Sequence, residues 1–379
     1  MSKGKWAARL SYALRAALLA LVVLATSAPA AQALPGKFWG VIPQSEPSLE
    51  QLQRLKRGGV DSIRVPISWN AVQPVRDGPI DWSAADRPIE NAVATGIEVL
   101  PTLGGAPQWA VPVVPVPGTG GSVRAPRNLP VRAAAGAGWS AFVAAAAARY
   151  GPTGSFWAEH PGLPAHPIRT WQIWNEQNFL YFVARPNPGE YGKLVKLSYN
   201  AVRQVDSGGK ILLGGMFSHP REATLRRKPP LAYFGSDFLD KMYERTPGIR
   251  SKFHGVALHP YTGRYQRLFP YIEELRTVLK ANHDAGKGLW ITELSWSSQR
   301  RTPGNSFAKG LQGQAKQLRG AFAMLRSRQR KWRIRRVYWF SVDDQVGSCN
   351  FCDGSGLFAE GFLPKPAWRA YVGFAGGRP

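Results

Sequence analysis

Residues 170–174 read Thr-Trp-Gln-Ile-Trp, and an Asn-Glu pair follows them at 175–176. Short β-type runs of this kind recur along the chain, and each is followed by a loop and a helical pattern. The eight runs are 38–42, 62–65, 98–102, 170–174, 211–214, 255–258, 289–292 and 337–340. Eight β-then-α units in one chain predict a (β/α)8 TIM barrel, an α/β fold in which parallel strands close into a barrel with helices outside it.

Helical patterns fill the gaps between the runs. They lie at 48–58, 84–95, 138–150, 191–205, 271–282 and 306–326. The alternative architecture is an open doubly wound sheet, which is expected to carry a glycine-rich fingerprint after its first strand; none follows Ile42. We therefore predict one barrel domain over residues 34–379, because α/β barrels routinely use about 250 residues or more.

The longest irregular segment runs from Gly104 to Pro130 and is rich in proline and glycine. Its Val-Pro-Val-Val-Pro-Val-Pro sequence at 111–117 excludes a helix, because proline lacks a backbone donor and clashes with the preceding turn. A domain linker at this place would divide the eight runs between two domains. We instead predict a long loop after the third strand, on the catalytic face of the barrel, where it would shape a binding cleft.

The first 33 residues have the layout of a secretory signal peptide. Four basic residues come first, an uninterrupted apolar run covers 16–25, and small residues end in Ala31-Gln32-Ala33. The alternative is a membrane anchor, but the apolar run is too short to span a bilayer of about 30 Å. We therefore predict a secreted, extracellular protein whose only contact with a membrane is through this signal.

The charge of the chain is strongly positive. Its 379 residues include 49 Lys+Arg and 24 Asp+Glu, a net charge of +25, and 44% are hydrophobic, which excludes a disordered basic tail. Charge alone permits nucleic-acid binding, but a signal peptide argues against that partner, and we expect no nucleic acid. The densest basic stretch, 319–336, reads as a helix that ends before the last strand. It is either a solvated helix end, which the helix dipole favours, or a contact for an anionic cell-wall or capsular polymer.

Two glutamates come directly after apolar runs. Glu176 follows the fourth run and Glu293 the seventh. The carboxyl ends of barrel strands converge on one face, so the two acids are expected to meet there. Either one alone could be a salt-bridged residue at the rim of the barrel. The pair fits glycoside hydrolysis, which needs two carboxyl groups flanking the scissile bond.

The motifs around these residues resemble those of glycoside hydrolase clan A. Trp-Gln-Ile-Trp-Asn-Glu at 171–176 resembles the acid/base motif of the clan, and Ile-Thr-Glu-Leu at 291–294 resembles its nucleophile motif. His-Pro-Tyr at 259–261 is similar to the clan's His-x-Tyr element. Arg64 in the second run and Trp339 in the eighth lie where the clan often has an Arg and a Trp.

The resemblance covers nearly all of residues 38–372 and is nearest to family 39-like and family 5-like enzymes. Two departures bear on the choice of family. Gln177 follows the acid/base glutamate where many relatives have proline, and no histidine lies in 101–105, where family 5 enzymes commonly have one. The second departure weakens the family 5 interpretation and any expectation of cellulase activity.

The resemblance implies a role for each motif residue. Glu176 would be the general acid/base, with a pKa raised by burial and by the neighbouring anion, and Glu293 would be the ionised nucleophile. Substrate-binding or positioning roles follow for Arg64, Asn175, His259, Tyr261 and Trp339. Arg64 and Tyr261 would hold the nucleophile, His259 would orient the acid, Asn175 would bind a sugar 2-hydroxyl, and Trp339 would lie under the −1 sugar. The alternative for Arg64, His259 and Tyr261 is an ordinary buried hydrogen-bonded residue, and for Trp339 it is barrel packing.

Five further residues lie just beyond strand ends and either line sugar subsites or pack loops: Trp69, Trp109, Trp296, Asp343 and Asp344. Cys349 and Cys352 are the two cysteines of the chain. In a cytosolic protein they would suggest redox or zinc chemistry, whereas in a secreted one a small disulfide-closed loop is favoured. No acid or histidine cluster has metal-ligand spacing, and we predict that no metal or cofactor is needed.

The resemblance thus implies a secreted retaining glycoside hydrolase that cleaves O-glycosidic bonds of a poly- or oligosaccharide, with an anionic carbohydrate as one option for the substrate. Two alternatives stay open. A transglycosidase would use the same site but would pass the intermediate to a sugar. A basic polysaccharide-binding protein would use the same barrel without catalysis, and it would be indifferent to the change Glu293→Gln.

Overall fold

The computed structural model of the protein describes residues 36–220, 225–226, 230–345 and 352–379. The predicted signal peptide at 1–33 lies outside the described residues, and secretion stays a prediction. Within the described ranges, no helix combines the length and the apolar character that crossing a membrane requires.

Eight parallel strands close into a barrel, as predicted. The strands of the described residues, of which eight belong to the barrel, are in chain order β1 (Trp39–Ile42), β2 (Ser62–Ser68), β3 (Glu98–Gly104), β4 (Val113–Pro115), β5 (Arg124–Pro126), β6 (Thr170–Ile173), β7 (Lys210–Phe217), β8 (Gly255–His259), β9 (Gly288–Ile291), β10 (Ile334–Phe340), β11 (Phe358–Ala359) and β12 (Leu363–Pro364). The barrel runs β1-β2-β3-β6-β7-β8-β9-β10, and β10 pairs back with β1. All eight predicted runs are barrel strands, so the (β/α)8 prediction is confirmed.

The helices lie between the strands. They are α1 (Leu49–Arg57), α2 (Trp69–Val72), α3 (Ser83–Ala94), α4 (Ala133–Tyr150), α5 (Ser155–Glu159), α6 (Pro188–Val205), α7 (Gly235–Arg245), α8 (Leu268–Ala281), α9 (Leu311–Ser327), α10 (Gln329–Trp332) and α11 (Pro366–Ala375). Short 3-10 helices cover Ile249–Lys252, Tyr265–Arg267 and Glu360–Phe362. Helix α7 was not predicted, and α9 begins five residues later than the predicted 306–326, directly after Gly310.

Helix α1 shows how the local sequence sets an element. Ser48 caps it, because its hydroxyl accepts from the Gln51 amide (3.2 Å) while the Gln51 side chain accepts from the Ser48 amide (2.9 Å). Leu52 and Leu55, three residues apart, are both buried. The cap fixes where the helix begins, and the apolar pair fixes which face packs on the barrel.

The barrel interior is packed and not an open pore. One buried cluster joins residues of five strands: Ile42, Leu100, Leu212, Ala257 and Tyr338. Strands on opposite sides of the barrel contribute to this cluster, so the cluster lies inside it. Its burial contributes about 25 cal/mol per Å² of apolar surface removed from water, and it leaves only the carboxyl ends of the strands to form a cleft.

The segment 104–130 was predicted to be a loop, and the structure corrects that prediction. Val113–Pro115 pairs antiparallel with Arg124–Pro126 to form the β4–β5 hairpin. Proline is tolerated there because the sheet has only two strands, so each strand has an outer edge that needs no partner. The hairpin packs through Val116 and Ala125 onto the 180–184 segment, which follows β6 at the catalytic end of the barrel.

The basic stretch 319–336 was predicted to be one helix, and the structure corrects that prediction. Helix α9 ends at Ser327, a single turn follows, and β10 already includes Arg336. The Arg336 guanidinium donates to Ser62 Oγ (3.0 Å), pairs with Glu98 and lies over the Trp290 ring (5.3 Å). This part of the stretch therefore closes the amino-terminal end of the barrel, opposite the catalytic face.

Candidate active site

Glu176 reaches the mouth of the barrel through a tight turn. Strand β6 ends at Ile173, and both Trp174 (φ 69°) and Glu176 (φ 40°) adopt the left-handed conformation. Such residues cost about 1–3 kcal/mol each and need support from their surroundings. The Trp174 amide donates to the Leu103 carbonyl (2.7 Å) and the Glu176 amide to the Gly215 carbonyl (3.0 Å). Neighbouring strands on both sides thus hold the turn.

Glu293 follows β9 by two residues and faces the same mouth. The Thr292 amide donates to the Leu258 carbonyl (3.2 Å), and the Leu294 carbonyl accepts from the Phe340 amide (3.1 Å). These bonds extend the strand pairing on both sides of Glu293. Its side chain is 12% exposed, so a charge on it is largely shielded from water.

Arg64 binds the nucleophile candidate and two of its neighbours. Its Nη1 donates to Glu293 Oε1 (2.7 Å), Nη2 to Asn175 Oδ1 (2.6 Å) and Nε to Gln172 Oε1 (2.6 Å). The side chain is 7% exposed. Three directed bonds from one planar group fix the relative positions of β2, β6 and the loop after β9.

Tyr261 holds the other oxygen of Glu293. Its hydroxyl donates to Oε2 at 2.9 Å. Burial raises the pKa of Glu293, whereas the Arg64 charge and the Tyr261 hydrogen bond oppose that rise. Burial and the charge of Glu293 raise the pKa of Tyr261 well above its ordinary value, so the hydroxyl keeps its proton and stays a donor.

His259 connects the two carboxyl groups. Its Nδ1 lies 2.8 Å from Glu176 Oε1 and 3.5 Å from Glu293 Oε2, and its Nε2 lies 3.0 Å from Thr292 Oγ1. Burial, assisted by the nearby Arg64 charge, lowers the pKa of His259 well below its ordinary value, so the ring is neutral. With a proton on Nδ1 the ring donates to Glu176 and accepts the Thr292 hydroxyl proton at Nε2.

The two glutamates lie close together in a buried place. One oxygen of each, and a ring nitrogen of His259, all lie within 4.8 Å of one another. Burial and the charge of Glu293 raise the pKa of Glu176 well above its ordinary value. Glu293 has the neighbouring Arg64 cation bound to it, so Glu293 loses its proton first and Glu176 keeps its own.

The same three side chains offer enough ligand atoms for a divalent metal ion. The environment fits such an ion poorly. Arg64 already brings a positive charge to Glu293, and the Arg64 and Tyr261 hydrogen bonds occupy both Glu293 oxygens. A second cation here would meet the guanidinium at short range, whereas a carboxylate at Glu293 already has a donor for each of its oxygens.

Gln172, Thr102 and Thr292 belong to the site but were not predicted. Gln172 is fully buried, and its Oε1 accepts from both Arg64 Nε and Thr102 Oγ1 (3.0 Å), while its Nε2 donates to the Leu213 carbonyl (3.2 Å). A polar residue inside an apolar barrel strand was the available signal, because buried polar groups need partners.

Trp339 was predicted to lie under the −1 sugar, and the structure corrects that assignment. Its side chain is fully buried on the outer side of β10, where its ring lies 6.2 Å from Phe322 of α9 and its Nε1 donates to the Ser355 carbonyl (3.0 Å). Successive strand residues face opposite sides, so the next residue, Phe340, faces the interior. Its ring lies edge-on to Tyr261, 6.4 Å away. Phe340 therefore occupies the place that was predicted for Trp339.

Three of the weaker candidates pack loops. Trp69 and Trp296 are fully buried, and Trp296 Nε1 donates to the Thr262 carbonyl (2.7 Å). Asp344 accepts from the buried Lys365 ammonium (2.7 Å). These residues stabilise the loops above the barrel; the two tryptophans offer no surface to a sugar, and Asp344, 20% exposed, is already bound to a cation.

Trp109 and Asp343 are partly exposed and stay candidates for subsites. Trp109 packs edge-on against Trp69 (5.0 Å), and Asp343 Oδ2 accepts from the Gln345 amide (3.1 Å). Cys349 lies outside the described residues, so its disulfide with Cys352 also stays a prediction.

Residues 216–363 match the family model described as the glycosyl hydrolase catalytic core. This segment is similar to the catalytic core of glycosyl hydrolases. The matched region contains His259, Tyr261 and Glu293, whereas Arg64 and Glu176 join the site through the geometry described above. This match confirms the predicted resemblance to glycoside hydrolases. No curated protein matches the sequence.

Solved glycoside hydrolases share the fold at low sequence identity. A family 39 glycoside hydrolase from Bacteroides cellulosilyticus WH2 has 18% identity and a TM-score of 0.61 over 90% of this chain and 64% of its own. A GH39 β-xylosidase from Caulobacter crescentus has 19% identity and a TM-score of 0.61 over 90% of this chain and 72% of its own. A GH5_18 protein from Bifidobacterium longum subsp. infantis has 16% identity and a TM-score of 0.61 over 91% and 79%. This chain thus spans about two thirds to four fifths of these proteins' lengths.

Proposed function

We propose that the protein is a retaining glycosidase that cleaves O-glycosidic bonds of a poly- or oligosaccharide by double displacement. One observation carries this proposal: an oxygen of Glu176 and an oxygen of Glu293 lie within 4.8 Å in one buried cluster. Carboxyl groups of retaining enzymes are about 5–5.5 Å apart, whereas inverting enzymes leave about 6.5–9.5 Å for a water molecule.

In the first step, a Glu293 oxygen attacks the anomeric carbon while the bond from that carbon to the leaving oxygen breaks. Glu176 gives its proton to that leaving oxygen. Its raised pKa keeps the proton available, and His259 donates to Oε1, which leaves the second oxygen to carry it. Arg64 and Tyr261 keep the attacking carboxylate oriented.

In the second step, Glu176 removes a proton from water, and the water oxygen attacks the anomeric carbon. The bond to Glu293 breaks, and Glu293 leaves as a carboxylate that Arg64 again stabilises. Two inversions restore the starting configuration. If a sugar hydroxyl replaced the water, the same residues would perform transglycosylation. The choice between hydrolysis and transglycosylation therefore depends on the acceptor and not on the two glutamates.

Proton NMR of the first-formed product tests the proposal. An aryl glycoside that the protein hydrolyses should give a product with the starting anomeric configuration, and an inverted product would overturn the mechanism. Glu293→Ala should abolish turnover, and azide should partly restore it by giving a glycosyl azide of inverted configuration. Glu176→Ala should slow substrates with poor leaving groups most, because they depend on protonation.

A non-catalytic polysaccharide-binding barrel is the other reading of the same residues. Burying two neighbouring carboxyl groups costs stability, and a protein that only binds polysaccharide would gain nothing from that cost. Glu293→Gln distinguishes the two functions, because the exchange removes a nucleophile but keeps size and hydrogen-bonding capacity. Unchanged behaviour of that variant in every assay would favour the binding protein.

Secretion is part of the proposal and rests on residues 1–33 of the sequence. Protein collected from the culture medium should begin after Ala33. Mass spectrometry of the same material should show Cys349 joined to Cys352, because that compartment is oxidising and the spacing is short. Two free thiols in secreted protein would contradict the disulfide and leave the glycosidase proposal untouched.

A further inference from the structure

A cavity of about 440 Å³ lies in the loops that follow β8 and β9. Four of its lining residues are cationic, Arg264, Arg301, Lys309 and Lys316, and none of the lining residues is acidic. We call this cavity the cationic pocket. Its volume falls in the range of small-molecule sites, about 300–1,000 Å³.

The four cations have no acidic partner in the described part of the chain. Other surface cations do, such as Arg87 with Glu46 and Lys331 with Glu273. Burial and the nearby charges of Arg301 and Arg264 lower the pKa of Lys309, which shows that these groups repel one another. Like charges gathered around one cavity without a counterion are relieved when an anion binds there.

The cationic pocket adjoins the catalytic site. Tyr261, which binds the nucleophile, comes three residues before Arg264 in the chain. The Phe307 ring lies 6.4 Å from the Tyr261 ring, and the chain continues from Phe307 directly to Ala308 and Lys309 in the pocket wall. Both loops start at the carboxyl ends of barrel strands, so the pocket lies at the same end of the barrel as the two glutamates.

The segment that carries Lys309 is held in place by strand-like backbone bonds. The Ser297 amide donates to the Phe307 carbonyl (3.0 Å), and the Lys309 amide donates to the Ser297 carbonyl (2.9 Å). Ser297 follows Glu293 by four residues. The cation is therefore positioned by the same loop that carries the nucleophile.

We propose that the cationic pocket binds the carboxylate, sulfate or phosphate group of an acidic carbohydrate whose glycosidic bond lies at Glu176 and Glu293. The inference rests on the proposed glycosidase function and narrows its substrate to an anionic carbohydrate. An arginine presents a planar fork to two oxygens of such a group, and a lysine adds a mobile point charge. The shared chemistry is an oxyanion attached to a sugar.

The test needs a matched control, because a chain with a net charge of +25 attracts any polyanion. The pocket variant is Arg301→Gln with Lys309→Gln. The control variant is Arg203→Gln with Arg330→Gln, two exposed arginines that precede β7 and β10 and so lie at the opposite end of the barrel. Both variants remove two positive charges, so the overall attraction falls equally.

Binding is measured by calorimetry in a Glu293→Gln background, which prevents turnover. The probes are an oligogalacturonate, a chondroitin sulfate oligosaccharide, a phosphorylated oligomannoside and a neutral dextran oligosaccharide. At least one acidic probe should bind, which identifies the source of the oxyanion. The pocket variant should bind that probe about tenfold more weakly, whereas the control variant should change by about twofold or less.

The proposal is overturned if the two variants lose equal affinity, because overall charge then explains the binding, or if no acidic probe binds at low ionic strength. Turnover with Glu293 intact separates this inference from the proposed function. Selective loss of binding in the pocket variant, with no glycoside hydrolysed by the wild-type protein, would keep the pocket and reject the glycosidase. Conversely, if the wild-type protein hydrolyses neutral glycosides and both variants lose equal affinity for the acidic probe, the glycosidase function is kept and the pocket is rejected.

Discussion

Arg64→Met is the perturbation that tests the site most directly. The side chain is 7% exposed and supplies the cation bound to Glu293, together with hydrogen bonds to Asn175 and Gln172. Methionine fills much of the volume but removes the charge. Since Arg64 lowers the pKa of Glu293, its loss should raise that pKa further, so that a smaller fraction of the nucleophile is ionised at a given pH.

The size of the effect follows from burial. Removing one partner of a buried ion pair costs about 3–5 kcal/mol, and a factor of ten in rate corresponds to about 1.4 kcal/mol. If the ionised nucleophile bears that cost, kcat/KM should fall by roughly 10²- to 4 × 10³-fold at neutral pH. The loss should shrink as the pH rises, because Glu293 regains its charge.

The assay is kcat/KM against pH on an aryl glycoside with a good leaving group, which reduces the dependence on Glu176. The acid limb should move to higher pH in Arg64→Met and move less in Arg64→Lys, which keeps the charge but loses the fork. Arg149→Met is the matched control: Arg149 is 12% exposed and donates to Asp86 at 2.7 Å, outside the site. An acid limb that stays in place in Arg64→Met, with an equal loss at every pH, would refute this role for Arg64.

Three more changes have defined outcomes. Glu176→Gln should raise the melting temperature at neutral and alkaline pH and not below about pH 4. The raised pKa of Glu176 in the folded state means that the wild-type protein loses stability as the pH rises, and glutamine does not titrate. Thermal unfolding across pH measures this, and equal gains at all pH would contradict it. Phe340→Ala should raise KM. Trp339→Phe should leave KM unchanged and cost about 1–3 kcal/mol of stability, because it removes the indole donor to the Ser355 carbonyl, which keeps only the Ser341 amide (3.3 Å), and leaves a cavity in a buried place; the opposite pattern in kinetics and chemical denaturation would restore Trp339 to the site. Replacing the hairpin tip 117–122 with a short turn, which keeps the packed Val116, should alter the ranking of substrates in a glycoside panel far more than the melting temperature. An unaltered ranking would remove the hairpin from the cleft.

The sequence was sufficient for the barrel because each strand is a short apolar run with a helical pattern after it. It was insufficient for the direction of side chains in those strands. In Tyr338-Trp339-Phe340 every residue is a large aromatic, so the alternation that marks inner and outer faces in half-exposed strands is missing. Only the packing shows that Tyr338 lies in the barrel core and Trp339 against α9.

The catalytic pair could be predicted because both glutamates stand at strand ends beside recognisable motifs. Their partners were harder to find. Arg64 and Gln172 are 108 positions apart in the chain, and a contact over that distance depends on barrel closure and register. The β4–β5 hairpin was missed for a different reason, since its prolines disfavour regular structure locally while an isolated two-stranded edge tolerates them.

The cationic residues of the chain have at least three separate roles. Arg64 enters the barrel from the catalytic end and binds a nucleophile, whereas Arg336 enters from the opposite end and pairs with Glu98. Both charges are neutralised within the fold and attract nothing from solution. The cations of the cationic pocket have no acidic neighbour in its lining and are gathered around one cavity, so they can act together on a ligand. Net charge is therefore a poor guide to the substrate of this protein, and the distribution of its unneutralised cations is a better one.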